Sequence, residues 1–337
     1  MDADLTAGKD AVELTNEAMV IDALSLGYVL EEPYTERCLA GGVDAANVTF
    51  VTDSDWEGAR RALDTALEKI EASPLLALAL TRADVEAAKK AGQFGVILGT
   101  QGAAFLGEDM TRLEEVWKLG MRTIGLAYTA ANLLADGCGE VRDGGLTFLG
   151  HDFVDAVNGL AMLLDVSHAG HRARAEVAAR ADHPVCTHSN AYAVHANDRN
   201  TKDETARAIV AKGGVIGICG LPKSVAEVDP TIEHMLDHCE HYANLLGAAH
   251  VGLGLDFTEA YQEAGTVLEA SKVWRVRRPD IFGTPGEFLT QSYPRGLHSI
   301  RLVANFTQGL IDRGHGEDAV RGILGGNWLR LFGEVVG

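Results

Sequence analysis

Two histidines and an aspartate stand where apolar runs end. Asp165-Val166-Ser167-His168 closes the run Leu160–Leu164, Thr187-His188-Ser189 closes Pro184–Cys186, and Asp256 closes Val251–Leu255. Short apolar runs bounded by turn residues and followed by helical patterns read as buried parallel strands. In a closed parallel barrel the C-terminal strand ends share one mouth, and the chemistry sits there. Two imidazoles and a carboxylate at such a mouth suit a borderline-soft divalent cation such as zinc, and zinc with an open position brings bound water to a pKa of about 7. Asp256 has two readings: a third ligand, or an unligated general base on that water. A single strand-end histidine is as often structural as catalytic; two on adjacent strands with a carboxylate on a third favour the ion.

Four further side chains fall at or near this mouth. Gln101 follows the run Gly95–Thr100; its amide either faces the substrate or is hydrogen-bonded at the rim, and it cannot bridge two cations as a carboxylate does. Tyr128 ends the next strand and either donates to a developing oxyanion or packs as a rim aromatic. Arg199, in His195-Ala196-Asn197-Asp198-Arg199-Asn200, either captures a substrate carboxylate with its guanidinium fork or pairs with Asp198, Asp203 or Glu204. Cys138 lies in the Asp136–Glu140 loop without a clear histidine partner, which argues against a reactive thiol. The first strand runs into Ala23-Leu24-Ser25-Leu26, with no histidine where a two-metal hydrolase of this kind needs one. The chain has no Gly-rich P-loop, no Gly-x-Ser-x-Gly elbow and no His-Glu-x-x-His helix.

The elements that position these groups alternate along the chain. Strands are expected at Met19–Asp22, Asn47–Val51, Gly95–Gly99, Thr123–Ala127, Leu160–Asp165, Pro184–Thr187, Gly214–Ile218 and Val251–Leu255. Helical patterns fill the gaps at Trp56–Ala72, Arg82–Ala91, Thr111–Leu119, His151–Gly159, Ala173–Ala181, Lys202–Lys212 and Thr231–Leu246. Eight strands in alternation with helices favour an α/β fold of the closed (β/α)₈ TIM type over an open doubly wound sheet. One domain over 1–337 is expected, ending in two helices, Gly296–Arg313 and Glu317–Val335. Thr129–Thr147 and Phe257–Tyr293 read as long loops over the mouth, and loops of that length are usually functional or disordered.

Composition narrows the partners. The net charge of −19 over 337 residues argues against nucleic acid or an anionic membrane surface, both of which attract basic patches. Five well-separated cysteines, an odd number, read as reduced thiols in the cytoplasm. Met1-Asp2-Ala3-Asp4 lacks the basic and apolar regions of a signal peptide. No apolar stretch approaches the roughly 20 residues of a membrane span.

Taken together, Asp165-Val166-Ser167-His168, His188-Ser189-Asn190-Ala191-Tyr192, Arg199-Asn200, Gly213-Gly214-Val215, Gly254-Leu255-Asp256-Phe257 and Gly325-Gly326-Asn327-Trp328-Leu329-Arg330 resemble the membrane (renal) dipeptidase family of the amidohydrolase superfamily, in order and spacing over residues 16–335. The resemblance implies a metal site at a (β/α)₈ mouth and zinc-dependent hydrolysis of dipeptides. It implies that His168 and His188 bind one zinc, that Asp256 serves the other and proton transfer, and that Arg199 holds the dipeptide's carboxylate. The site itself departs from the family. The first-strand motif Asp-Gly-His-x-Asp becomes Asp22-Ala23-Leu24-Ser25-Leu26, the bridging glutamate becomes Gln101, and a histidine that stabilises the tetrahedral intermediate becomes Tyr128.

These replacements lead to an expectation of one zinc ion at most. Three functions stay open: a mononuclear hydrolase of dipeptides or small N-acyl amino acids, a relative that binds a small carboxylate without cleaving it, and a lyase or C–N bond hydrolase acting on a small amine. The expected partner is a small molecule with a carboxylate; a homodimer is left open.

Overall fold

The computed structural model describes residues 4, 6–267, 270–290 and 293–337; Met1–Ala3, on which part of the signal-peptide expectation rests, lie outside them. Parallel pairing starts at the first apolar run, where β1 (Ile21–Leu26) sets Ile21 against Ala45 of β2 (Ala45–Val51). β3 (Leu76–Leu78) and β4 (Phe94–Thr100) follow, then β5 (Met121–Gly125), β6 (Leu163–Asp165), β7 (Pro184–Val185), β8 (Ile216–Ile218) and β9 (Val251–Leu253). The strand order is β7-β6-β5-β4-β2-β1-β9-β8, parallel throughout. A Cys186–Ile216 bridge, with Gly217 N donating to Cys186 O at 2.8 Å, joins the two ends. The fold is a (β/α)₈ barrel, as expected.

The ninth strand is a correction to the expected count. β3 pairs with the first half of β4 (Leu76 with Phe94, Leu78 with Val96), while β5 takes the second half from Leu98 on. Three residues after Pro74 are too short to show a period, so this strand left no signal in the sequence. Closure demands bare backbone at two places. A Cβ on Gly217 or Gly254 would stand 2.0 or 1.8 Å from Thr187 O, closer than packed atoms approach.

Helices form where caps and patterns agree. Trp56–Ala72 starts at Asp55, whose carboxylate accepts from Gly58 N at 2.8 Å. Arg82–Ala91 starts in a Thr81/Asp84 capping box and stops at Gly92, whose φ of 70° suits only a residue tolerant of left-handed backbone. Two helices, Lys9–Glu17 and Glu32–Ala40, are additional to those expected. The expected terminal helix Glu317–Val335 is broken: Glu317–Arg321 leads through Gly322–Gly326 to Asn327–Val336. The break follows from close approach, since a Cβ on Gly325 would stand 2.4 Å from Met19 O.

The final helix covers the barrel's N-terminal opening. Trp328, Leu331 and Phe332 pack with Ile21, Ala45, Ile97, Leu163, Val185 and Val215, and Trp328 Nε1 donates to Leu253 O at 3.0 Å. At the opposite end, Phe257–Tyr293 is no bare loop. It carries the short helices Glu259–Glu263, Val273–Arg277, Pro279–Phe282 and Pro285–Thr290. Among the described residues no helix is long and apolar enough to cross a membrane. All five cysteines are free and buried.

Candidate functional site

The ends of β6 and β7 bring the two histidines together. Asp165 ends β6, and its carboxylate accepts from Ser167 N (3.0 Å), Ser167 Oγ (2.6 Å), Thr187 N (2.9 Å) and Thr187 Oγ1 (2.7 Å). Four donors from two loops lock the Asp165–His168 turn to the Thr187–His188 turn. The imidazoles then face each other, with Nε2 atoms 3.0 Å apart and ring centroids 4.9 Å apart. Each ring is held from behind. His188 Nδ1 lies 2.6 Å from Thr187 Oγ1, and His168 Nδ1 lies 3.0 Å from Thr129 Oγ1. Thr129 has φ 65°, a left-handed backbone that a β-branched residue rarely adopts. Strain of this kind gathers at functional sites.

Arg199 completes the cluster from the loop after β7. It is 1% exposed, donates through Nη1 to Ser167 O, and places Nη2 3.3 Å from His168 Nε2 and 3.4 Å from His188 O. Its Nε has no hydrogen-bond partner among the described residues. The ion pairs expected as its alternative do not form: Asp198 bonds His171 and Arg278, and Asp203 bonds His241. A second arginine, which sequence reasoning missed, fixes this loop. Arg174 is fully buried and donates to the carbonyls of Val166 (3.2 Å), Ser167 (2.9 Å), Asp198 (3.1 Å), Arg199 (3.2 Å) and Asn200 (2.7 Å). Burial first, and then the Arg199 charge, holds both imidazoles well below their usual pKa, so both are neutral.

Asp256 follows β9 with φ 55° and is enclosed in the mouth yet partly reached by solvent. Its amide donates to Leu24 O at 3.1 Å, and Tyr293 Oη donates to its carbonyl at 2.6 Å. Burial pushes its carboxyl up to about 7; Arg199 opposes the shift and Asp22 adds to it. Asp22 in β1 is itself pushed up to about 6 by burial, against hydrogen bonds from Ser25 Oγ (2.6 Å), Leu255 N (2.7 Å) and Leu24 N (3.2 Å). Tyr128 lays its ring 4.4 Å from that of His168 and 5.8 Å from that of Trp274, so it both packs and borders the histidine pair. Gln101 is buried just past β4. Cys138 donates its amide to His168 O at 2.8 Å, and burial raises its thiol pKa, which disfavours the reactive thiolate.

The donor set tests the fit of zinc. Leu24 and Leu26, at the positions of the missing first-site ligands, are buried apolar side chains without a donor. Among the described residues no group of three or more His, Cys, Asp or Glu is placed to hold a metal ion. The structure therefore joins His168 to His188 but does not bring Asp256 with them into a three-donor set. These residues do not fit a binuclear zinc centre. A single ion would have two nitrogen donors and a guanidinium beside one of them.

The family described as membrane dipeptidase (peptidase family M19) matches residues 35–278, and the chain belongs to it. Dipeptidase verJ of Clonostachys rogersoniana is 26% identical over 295 residues, 85% of this chain and 68% of that protein. Dipeptidase aclJ of Aspergillus oryzae is 28% identical over 250 residues; the match takes 72% of this chain and spans about half, 52%, of that protein. An amidohydrolase from Pseudomonas aeruginosa superposes with a TM-score of 0.87 at 26% identity, covering 97% of this chain and 99% of its own. The homologues place the chain among dipeptidase-like hydrolases, and the family implies metal dependence.

Proposed function

We propose that this member of the membrane dipeptidase family hydrolyses the C–N bond of a dipeptide, or of another small N-acyl amino acid, held in the barrel mouth by its free carboxylate. The observation that carries this reading is a buried guanidinium in the same mouth as a carboxyl whose pKa burial raises toward neutrality. Arg199 Nε has no hydrogen-bond partner among the described residues, and Asp256 is pushed up to about 7. A guanidinium edge out of water gives a carboxylate charge-assisted hydrogen bonds. A carboxyl with a pKa near the working pH takes a proton from attacking water and returns it to the leaving amine. Tyr128, against the His168 ring, is the donor assigned to the developing oxyanion. Gln101 presents an amide to the bound substrate. The family's two-ion centre does not fit these donors, so no step is assigned to a metal.

A second reading, binding of a small carboxylate without cleavage, draws on Leu24 and Leu26, which put buried hydrocarbon where the family motif has ligands. One panel separates the two: dipeptides and N-acyl amino acids, each as free acid and C-terminal amide, followed by product release and by calorimetry. Cleavage confined to free acids is the expected outcome. Saturable binding without product transfers the case to the second reading, and neither signal removes both.

A further inference from the structure

In this mouth a guanidinium stands beside the ring nitrogens that would hold a cation. The two Nε2 atoms are 3.0 Å apart, and Arg199 Nη2 stands 3.3 Å from one of them, tied to the same wall through Ser167 O and His188 O. Arg174 adds a second fixed positive charge behind it, bonded to Ser167 O and Arg199 O. Two permanent guanidinium charges next to neutral imidazoles repel a divalent ion. The Asp165 carboxylate lies 3.9 Å from His188 Nδ1, on the far side of that ring from the Nε2 pair, and among the described residues no third His, Cys, Asp or Glu joins the two histidines in a metal-holding set.

The hydrogen bonds that orient the two imidazoles also close without an ion. Asp165 is acceptor-only when ionised, so the single hydroxyl hydrogen of Thr187 goes to Asp165 Oδ2 at 2.7 Å. Thr187 Oγ1 must then accept at 2.6 Å from His188 Nδ1, which leaves His188 Nε2 bare. The 3.0 Å contact between the rings needs one hydrogen, and His168 Nε2 supplies it. His168 Nδ1 in turn accepts from Thr129 Oγ1 at 3.0 Å. Thr129, His168, His188, Thr187 and Asp165 thus form one directional chain in which every hydrogen has an acceptor.

We propose that Arg199 excludes a resident divalent cation from the His168–His188 pair, so that this mouth is a metal-free, anion-accepting site within a metal-dependent family. The proposal deepens the hydrolase reading, because it assigns a second role to a residue of that same site. Metal binding is measured without turnover, so either can fail while the other stands.

The test is metal content and zinc affinity. Elemental analysis of the full chain, purified without chelator, should find fewer than about 0.1 zinc, cobalt or manganese ions per chain, and cobalt titration should show no saturable ligand-field bands at micromolar ion. Arg199→Met removes the charge while keeping the length, and should bind zinc at least about tenfold more tightly than wild type. Adding His168→Ala should abolish that gain. Arg199→Gln serves the same comparison should the methionine variant misfold. About one tightly held ion per wild-type chain overturns the proposal on its own, as does unchanged zinc affinity in the folded variants.

Discussion

Asp256 keeps its proton up to about pH 7 in the folded chain, whereas an unfolded aspartate loses it near pH 3.9. Between those values the native state binds more protons than the unfolded state. Its contribution to stability is therefore fully present below about pH 4 and is lost as pH rises through about 7. Asp22, pushed up to about 6, acts in the same direction one step earlier. Asp256→Asn removes the ionisation but keeps the size. We expect it to raise stability by about 1–2 kcal/mol at pH 8, to change it little at pH 4, and to lower turnover roughly 10²–10⁴-fold. Urea unfolding at both pH values, with rates alongside, checks this; a variant less stable than wild type at pH 8 would show that the ionised carboxylate is stabilised by its surroundings. Wild-type kcat/KM should climb with pH and level off above about 7, as a base with this pKa requires.

The short helices Val273–Arg277 and Pro279–Phe282 form the part of the mouth with its own small core. Trp274 packs its ring 4.8 Å from Phe282 and 5.8 Å from Tyr128, and Arg275 lies over Trp274 at 4.8 Å and Phe288 at 5.1 Å. This cluster is separate from the barrel interior, so it can open without the barrel unfolding. Trp274→Ala should speed proteolytic cleavage within 270–290 by about tenfold and move the melting temperature by less than about 3 °C. A large fall in melting temperature with unchanged cleavage would make this segment part of the barrel core.

The sequence marked Phe257–Tyr293 as a functional stretch but not its helices, because each is only four to six residues long and has no period to read. The barrel strands were legible because each apolar run ends in a turn residue. His168, His188 and Asp256 were legible for the same reason. Thr129 and Thr187 were not, since a hydroxyl beside a histidine becomes an orienting group only when two loops meet. Arg174 was not, since in His171–Arg180 it looks like its exposed neighbours Arg172 and Arg180. The carbonyls that hold it come from the turn after β6 and from the Asp198–Asn200 loop closing over it.

Across the whole molecule the two ends of the barrel divide the labour. The C-terminal end carries left-handed backbone at Thr129 and Asp256, raised carboxyl pKa values and a guanidinium nitrogen without a hydrogen-bond partner among the described residues, all of which cost stability at neutral pH. The N-terminal end offsets them with hydrocarbon. Trp328, Leu329, Leu331 and Phe332 are buried against residues from β1, β2, β4, β6 and β7 and from the segment before β8, so one helix ties together strands that close the ring from both sides. Trp328 also fills the space above Gly252, where a Cβ would stand 2.1 Å from its Nε1. Trp328→Ala should leave a cavity at the base of the barrel and cost roughly 3–5 kcal/mol in urea unfolding. The mouth lies at the other end of the strands, so KM and the pH profile should stay as in wild type wherever the variant is folded. In a (β/α)₈ barrel the bottom face serves stability and the top face chemistry. A Trp328→Ala protein of normal stability, or one that is stable but altered in KM, would show that this division does not hold here.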